Sequence, residues 1–246
     1  MKIKILLIMI FLLSILPVYK TYGEEDTGFF DVDSPLLIEK LNRDHGISNL
    51  SVSAIVQDKY GIIWFGTQDG LNRYDGKEII VYKNEPYQQG DLQHNLIQTM
   101  YYDVDEHVLW IGTYNGLSRF DIKTQNFSGY LPKSDQQEGI SDSVVIAIEK
   151  DLDGFVWVGT ANGLDRINTE TGKVLNYELL SNTIRSLYVT QDNQLLIGTI
   201  NGLYIYDRDE DSFVRQSLGL DSEVIMSIDQ FQKNEYILGI WGQGVI

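Results

Sequence analysis

One short phrase occurs five times along this chain of 246 residues, and it restricts the possible folds more than any other feature. Each copy has two bulky apolar residues, then a glycine, then a turn that contains a second glycine. The copies begin at Trp64, Trp110, Trp157, Leu196 and Ile237. Their first glycines, Gly66, Gly112, Gly159, Gly198 and Gly239, are 46, 47, 39 and 41 residues apart. A period of about 40–50 residues with strand-like content indicates an array of repeated structural units.

The first unit shows how one copy is expected to fold. Ser51–Val56 alternates small or polar residues with apolar ones, which predicts a strand. Ile62–Thr67 is almost continuously apolar and therefore predicts a strand buried on both faces. Asp69-Gly70 is a hairpin signal, and further strands are predicted at Leu71–Asp75 and Glu78–Tyr82. Four antiparallel strands in each repeated unit are typical of the blades of a β-propeller, so we predict an all-β propeller.

The other units repeat this pattern, with Asn-Gly in place of Asp-Gly in three of them. Their strands are predicted at Ile97–Tyr102, Val108–Thr113, Leu117–Asp121 and Asn126–Leu131; at Val144–Glu149, Phe155–Thr160, Leu164–Asn168 and Val174–Tyr177; and at Ile184–Val189, Leu195–Thr199, Leu203–Asp207 and Ser212–Gln216. The fifth unit supplies Val224–Ile228, Tyr236–Leu238 and the start of a strand at Gly244–Ile246.

We therefore expect about four complete blades and a partial fifth, in units over about 50–90, 95–135, 143–180, 183–218 and 223–246. Residues 36–41 are strand-like and would form a leading outer strand of the kind that closes a propeller ring. Because the last unit lacks a fourth strand, this pattern is interpreted as a segment of a longer protein.

The first 23 residues have the pattern of a secretory signal peptide. Lys2 and Lys4 precede an apolar run over Ile5–Val18, which at 14 residues is shorter than the roughly 20 needed to span a bilayer. Thr21–Gly23 offers small residues for cleavage, and 24–35 is a linker. The alternative is an uncleaved membrane anchor. Both alternatives place the protein outside the bacterial cytoplasm, in a periplasm or on the cell exterior.

Charge and cysteine content exclude several classes of function. The net charge is −16, and removal of residues 1–23, which contain three lysines and no acid, makes it −19. A chain this acidic is expected to repel nucleic acid and anionic membrane surfaces. Neither is therefore expected as a partner. The chain has no cysteine, which excludes disulfides, thiol nucleophiles and zinc–thiolate sites.

The repeated phrase and its flanks resemble a known family. Gly61–Gly76, with the order Trp-x-Gly-Thr-x-x-Gly-Leu-x-Arg-Tyr-Asp, is similar to the two-component regulator propeller repeat, and Leu41–Asp58 resembles the segment that opens such regions. The resemblance covers about residues 36–246. The fourth unit departs from it, since Leu196 replaces Trp and Tyr204-Ile205 replaces a polar residue and Arg.

The resemblance implies an extracytoplasmic sensing region. In this family, such propellers are joined through a transmembrane helix to a histidine kinase or a diguanylate cyclase, and some bind oligosaccharides. A small-molecule or oligosaccharide ligand and dimerisation through the parent receptor are the implied interactions. No second apolar span, nucleotide-binding glycine loop or kinase motif follows residue 23 in this sequence.

Residues that could form a site are weighed against structural roles. Trp64, Trp110 and Trp157 occupy one repeat position and are interpreted as packing between blades. Trp241 follows its glycine instead of preceding it, so it is the candidate ligand-binding residue. The repeated arginines Arg73, Arg119 and Arg166 could bind an acidic sugar, but pairing with neighbouring acids or carbonyls is the favoured interpretation.

Metal and catalytic sites are not predicted. Acidic turns at 103–106, 151–154 and 207–211 carry oxygen ligands suited to calcium, but Asp and Gly are also ordinary turn residues. His45, His94 and His107 lie in unrelated loops, and no cofactor is expected. The loops Lys83–Asn95, Pro132–Ser143 and Gln216–Ser222, together with the central channel, are where a ligand is expected. An exported propeller enzyme, such as a polysaccharide lyase or glycosidase, and a protein-docking scaffold stay open as alternatives.

Overall fold

Nineteen strands and one short 3-10 helix follow one another over the described residues, 38–85, 91–134, 137–220 and 223–246 of a computed structural model. The helix is Arg43–His45, and the strands are β1 Val52–Gln57, β2 Ile63–Thr67, β3 Gly70–Tyr74, β4 Ile79–Tyr82, β5 Ile97–Asp103, β6 Val108–Thr113, β7 Gly116–Asp121, β8 Asn126–Tyr130, β9 Val145–Lys150, β10 Phe155–Thr160, β11 Gly163–Asn168, β12 Val174–Tyr177, β13 Ile184–Val189, β14 Leu195–Thr199, β15 Gly202–Asp207, β16 Ser212–Gln216, β17 Ile225–Gln232, β18 Glu235–Ile240 and β19 Gly244–Val245. No helix in these ranges is long and apolar enough to cross a membrane.

The strands form five antiparallel sheets in chain order, and the all-β propeller prediction is confirmed. Each of the first four sheets has four strands, β1–β4, β5–β8, β9–β12 and β13–β16, and the fifth has β17–β19. The first strands of consecutive sheets contact one another, β1 with β5, β5 with β9, β9 with β13 and β13 with β17. These strands are called the inner strands, and the sheets extend outwards from them as blades.

The predicted strands agree with the observed ones to within about one residue in the first four units. The fifth unit differs, because β17 extends four residues beyond Ile228 to Gln232, through an irregularity in its pairing with β18. The predicted leading strand 36–41 is not a strand over residues 38–41, and residues 36–37 lie outside the described ranges. Ile38 is 85% exposed, and from Asn42 the chain instead caps the 3-10 helix. The predicted signal sequence 1–23 and linker 24–35 also lie outside the described residues.

In the first four phrases, the first glycine lies where the next sheet comes close. A Cβ atom built on Gly66 would lie 2.5 Å from Ile97 Cγ2 of the next sheet, and one on Gly159 would lie 2.4 Å from Ile184 Cγ2. The same conflict arises between Gly112 and Val145 at 2.6 Å and between Gly198 and Ile225 at 2.8 Å. Each apolar partner begins an inner strand. The glycine is therefore required because the next inner strand occupies the space of its side chain.

The tryptophans before these glycines fill the spaces between sheets, as predicted. Trp64, Trp110 and Trp157 are each at most 1% exposed. Trp64 packs on Phe120 of the second sheet with ring centroids 5.6 Å apart, and Trp157 packs on Tyr206 of the fourth at 4.8 Å. The buried apolar clusters of the described residues each draw on two consecutive sheets. The hydrophobic core is thus a row of separate layers between blades.

Glu149 places a largely buried carboxyl group on an inner strand. Glu149 of β9 lies opposite Trp157 in the strand pairing, a position that Tyr101 and Tyr188 occupy in the adjacent sheets. Burial raises the pKa of Glu149 to about 7, although the backbone amide of Lys150 opposes this shift. Burial also raises the pKa of Tyr101, to about 12, and the charge of Glu149 adds to that increase. The folded protein therefore favours a protonated Glu149.

We call the contact surface between two consecutive sheets a seam. Substitution of Gly159, at the seam between the third and fourth sheets, should destabilise the fold. We expect Gly159→Ala to lower the free energy of unfolding by about 1–3 kcal/mol, because the added methyl group overlaps Ile184. Urea denaturation of the single variants and of the Gly159→Ala/Ile184→Ala double variant measures the coupling. Strictly additive effects of the two substitutions would contradict the proposed contact.

Stability should also depend on the ionisation of Glu149. Because its folded pKa is raised above the ordinary carboxyl value, unfolding releases a proton between about pH 4.5 and 7, and stability is lost as pH rises through this range. Glu149→Gln should flatten the dependence of the melting temperature on pH between 5 and 8 and be the more stable protein at pH 8. Glu170→Gln, at an exposed position, is the matched control. Equal pH profiles for Glu149→Gln and the unmodified chain would refute the assignment.

Candidate functional site

The hairpins between the second and third strands form one end of the first four sheets, and a buried Thr holds each hairpin turn. The Thr hydroxyl donates to the carbonyl of the turn glycine at 2.8–2.9 Å and accepts the amide of the residue before that glycine at 3.0–3.3 Å. The threonines are Thr67, Thr113, Thr160 and Thr199. The turn glycines have φ values of 106–148°, which only glycine adopts without strain. The turn backbone is therefore fixed.

The residue after each Thr position is tied to the start of an inner strand. Its amide donates to the carbonyl of the residue one before the inner strand, as Tyr114 does to Leu96 at 3.1 Å and Trp241 to Val224 at 3.0 Å. We call these five equivalent positions the tip residues: Gln68, Tyr114, Ala161, Ile200 and Trp241. Because consecutive inner strands contact one another, the tip residues form an arc at one end of the inner strands.

Three of the five tip residues combine exposure with apolar character. Tyr114 is 43% exposed, Ile200 is 44% exposed and Trp241 is 69% exposed. Their chemistry varies from Gln to Trp, whereas the Gly-Thr before them recurs in the first four units. A varied, exposed residue on a fixed turn is the arrangement by which rigid scaffolds present binding groups. Trp241 thus lies at a turn, as its sequence position indicated, and its role in binding stays a prediction.

The segments that lead into the first three sheets reach the same end, and buried polar side chains of the third strands hold them. The Asn72 Oδ1 atom accepts the Ser48 amide at 2.8 Å, and Ser118 Oγ accepts the Gln93 amide at 2.9 Å. Asp165 accepts both the amide and the hydroxyl of Ser141. Burial raises the pKa of Asp165, while its hydrogen bonds from Ser141 and Asn176 act in the opposite direction.

Backbone hydrogen bonds join each of the first three hairpins to the connector that leads into the next sheet. The amides of Gly70, Gly116 and Gly163 donate to the carbonyls of Asn95, Ser143 and Asn182 at 2.7–2.8 Å. The described parts of the predicted ligand loops 83–95 and 132–143, which leave out 86–90 and 135–136, therefore lie beside the tip residues. At the fourth hairpin, Arg215 donates to the Asn201 carbonyl and pairs with Glu223, on either side of the loop 216–222. A ligand at one tip would contact groups that are bonded to the neighbouring sheet.

The acidic turns lie at the opposite end of the sheets and use their oxygens within the protein. Asp151 accepts the amides of Asp153 and Phe155 with one oxygen and Trp157 Nε1, at 2.8 Å, with the other. Asp58 binds its own turn and Trp64 in the same way. Within the described ranges, no three His, Asp or Glu side chains are grouped in a way that could hold a metal ion.

The second sheet departs from this arrangement. The turn between its first and second strands is one residue longer than in the first and third sheets. Asp103 binds Lys150 Nζ of the third sheet at 2.6 Å instead of a tryptophan. Trp110 Nε1 accordingly has no partner among the described residues. The longer turn thus replaces a bond inside the sheet with an ion pair between sheets.

Two of the repeated arginines are engaged in structural contacts. Arg119 pairs with Glu106 at 3.3 Å, and Arg166 donates to Tyr206 Oη at 2.7 Å across the seam between sheets three and four. The Arg166 guanidinium carbon also lies 5.4 Å from the Trp157 ring centroid. These two follow the structural interpretation, while Arg73 has only Asp75 within ion-pair range, at 3.7 Å.

The three histidines are not brought into one site by any described contact. His45 closes the cap of the 3-10 helix with Asn42, His94 accepts the Leu96 amide, and His107 pairs with Tyr102 Oη at 2.8 Å.

The sequence analysis identified Trp241 alone as a candidate and missed that the tip position is a repeated feature. The available signal was the varied residue after Gly-Thr, at a fixed place in every unit.

Comparison with known proteins agrees with the geometry. The two-component regulator propeller model matches residues 46–69, in the first sheet. Histidine kinase P4 of Formosa agariphila is 51% identical over 41 residues, which are 17% of this chain and 3% of that kinase.

Solved structures extend the likeness over most of the chain. The extracellular domain of the hybrid two-component system BT3049 from B. thetaiotaomicron is 25% identical with a TM-score of 0.59, covering 86% of this chain and 35% of that domain. The extracellular domain of BT4673 from the same organism is 26% identical with a TM-score of 0.66, covering 79% and 26%. Virginiamycin B lyase from Staphylococcus aureus, at 15% identity and a TM-score of 0.61 over 76% of this chain and 62% of the lyase, shares the fold alone.

The chain spans about a third or less of the two extracellular domains and a small part of the kinase. The resemblance stated from the sequence is confirmed: the chain carries a two-component regulator propeller repeat and has the fold of extracellular domains of hybrid two-component systems.

Proposed function

We propose that this chain is a ligand-binding propeller segment of an exported bacterial receptor, and that its ligand contacts the arc of tip residues. The single observation that carries the proposal is the exposure of Tyr114, Ile200 and Trp241 at one repeat position of an otherwise fixed turn. Exposed aromatic side chains provide flat apolar contact area at low conformational cost, with a polar atom at the edge of the ring. An oligosaccharide, with apolar ring faces and peripheral hydroxyl groups, suits this combination.

Binding without chemistry is the role that the described polar groups favour. At the tip end, Asp165 is held by Ser141 and Asn176, and Thr113 is used by its own turn. These groups support the backbone and leave the tip side chains to make contact. The alternative of a polysaccharide lyase or glycosidase has no comparable observation in its favour.

Signal transmission follows from the bonds between hairpins and connectors. A ligand that contacts more than one tip residue would favour one spacing of the sheets over another, and it can shift that equilibrium only by its difference in affinity for the two states. We infer that the parent receptor reads this spacing through segments outside the chain, in a histidine kinase or diguanylate cyclase and across a receptor dimer.

Tryptophan fluorescence offers a direct test. The chain has four tryptophans, and Trp64, Trp110 and Trp157 are buried, so collisional quenching by acrylamide should report mainly on Trp241. Titration with a panel of oligosaccharides should protect Trp241 from quenching for the glycan that binds. Trp241→Ala and Tyr114→Ala should each weaken that binding at least about fivefold, the size of an interface contact worth about 1 kcal/mol.

Leu152→Ala is the matched control, since Leu152 is also 69% exposed but lies in a turn at the opposite end of the sheets. Binding that is lost equally in Leu152→Ala, or unaffected by both tip substitutions, would overturn the tip site. Release of products from a glycan by the purified chain would favour the enzyme alternative instead.

A further inference from the structure

A cleft of about 470 Å³ lies between the first and second sheets, at the end opposite the tip residues. Three isoleucines, Ile62, Ile80 and Ile122, contribute apolar surface to it. Tyr60, His107 and the guanidinium-bearing Arg73 also line it. A mainly apolar lining with a few polar groups, at this volume, is typical of small-molecule sites.

Comparison with the fourth sheet gives one reason why this cleft is open. Ile122 follows the Asp of the turn between the third and fourth strands, and Arg208 is its equivalent in the fourth sheet. Arg208 reaches back across its seam to donate to Asp153 at 2.8 Å and to pair with Asp151 at 3.3 Å. Ile122 is apolar and shorter, so the second sheet sends no cation from this position into the cleft.

The inner strands show a second difference of the same kind between the sheets. The position of Lys150, which pairs with Asp103 across the seam between sheets two and three, is taken in the second sheet by Tyr102. Tyr102 Oη instead contacts His107 Nδ1 at 2.8 Å and the Lys59 amide at 3.3 Å. Lys150 bridges the seam between sheets two and three, and Arg208 bridges the seam between sheets three and four; at the seam between sheets one and two, both positions are uncharged.

Arg73 is the polar group that this opening exposes. Arg119 and Arg166 have hydrogen-bond acceptors, but among the described residues Arg73 has none, and Asp75 at 3.7 Å is beyond hydrogen-bonding distance. One oxygen of Asp75 already accepts the amides of Lys77 and Glu78. A guanidinium has five N–H donors in a planar arrangement that matches a carboxylate. Arg73 is about three-quarters buried, which strengthens such a contact.

The charges around Arg73 select for a small ligand of single charge. Asp58 faces the cleft, but its oxygens accept Trp64 Nε1 and the amides of Tyr60 and Ile62. Lys59 Nζ lies 5.6 Å from the Tyr60 ring centroid and adds a cation nearby. Because the net charge of the chain is −16, a polyanion would be repelled where one carboxylate is tolerated.

We propose that this cleft binds a small monocarboxylate with an apolar body, whose carboxylate pairs with Arg73 and whose body packs among Ile62, Ile80 and Ile122. The site is separate from the tip residues and does not depend on the function proposed for them. It would give the propeller a second ligand, at the seam between its first two sheets.

Phenylacetate is the test ligand, and phenylacetamide is its uncharged counterpart. We expect isothermal titration of the whole chain to show saturable binding of phenylacetate at millimolar or lower concentration. Arg73→Gln should weaken it about tenfold or more, as expected from loss of a charged hydrogen bond. Arg119→Gln removes the equivalent, engaged arginine of the second sheet and should leave binding unchanged. Phenylacetamide should bind at least about tenfold more weakly than phenylacetate.

A second variant tests the geometry without removing the arginine. Ile122→Arg places in the cleft the side chain that Arg208 supplies elsewhere, and it should abolish binding while melting at a temperature close to that of the unmodified chain. Methyl NMR of labelled isoleucines should show phenylacetate-dependent shifts at Ile62, Ile80 and Ile122. Absence of saturable binding, equal binding of the amide, undiminished binding in Arg73→Gln or Ile122→Arg, or shifts confined to other isoleucines would each overturn the proposal.

Discussion

The structure depends on a contact in which an inner strand rests directly on a glycine of the preceding sheet. At Gly66, Gly112, Gly159 and Gly198, no side chain fits, because an Ile or Val of the next sheet fills the space. This approach brings the residue two positions earlier, a tryptophan in the first three sheets and Leu196 in the fourth, against the same neighbour and buries it. Close packing of this kind tolerates little change in volume, so the glycine sets the distance between blades and hence the positions of both ends of each seam.

Hydrogen bonds divide each of the first three blades into a fixed part and a variable part. Thr fixes the hairpin, Asp fixes the turn at the opposite end, and a polar residue of the third strand fixes the connector. In the fourth blade, Thr190 takes the place of the Asp. The side chain after the Thr takes no part in these bonds, and it differs in every unit. The scaffold therefore explains why the sequence repeats, and the proposed contacts with other molecules lie at positions where the repeats differ.

Most of the fold could be predicted because its determinants are local and repeated. Period, Asn-Gly turns and apolar runs located the strands of the first four sheets almost to the residue, and the burial of Trp157 followed from its repeat position. The end of β17 was missed, because its pairing with β18 contains a register shift between Gln230 and Gln232 that no turn residue in the sequence indicates. The cleft at Arg73 was also missed. Its opening depends on Ile122, which is far from Arg73 in sequence and unremarkable until the two sheets are packed together.

The seam between the second and third sheets shows how such an array accepts a change in length. An extra residue in the turn after β5 removes the acceptor of Trp110, yet Asp103 regains a partner in Lys150 of the following blade. The insertion thus replaces a hydrogen bond inside the sheet with an ion pair to the next sheet, while Gly112 keeps its close contact with Val145. Because neighbouring blades are coupled mainly in pairs, each interface can diverge separately after duplication, and an ancestral set of identical units can acquire interfaces of unequal strength.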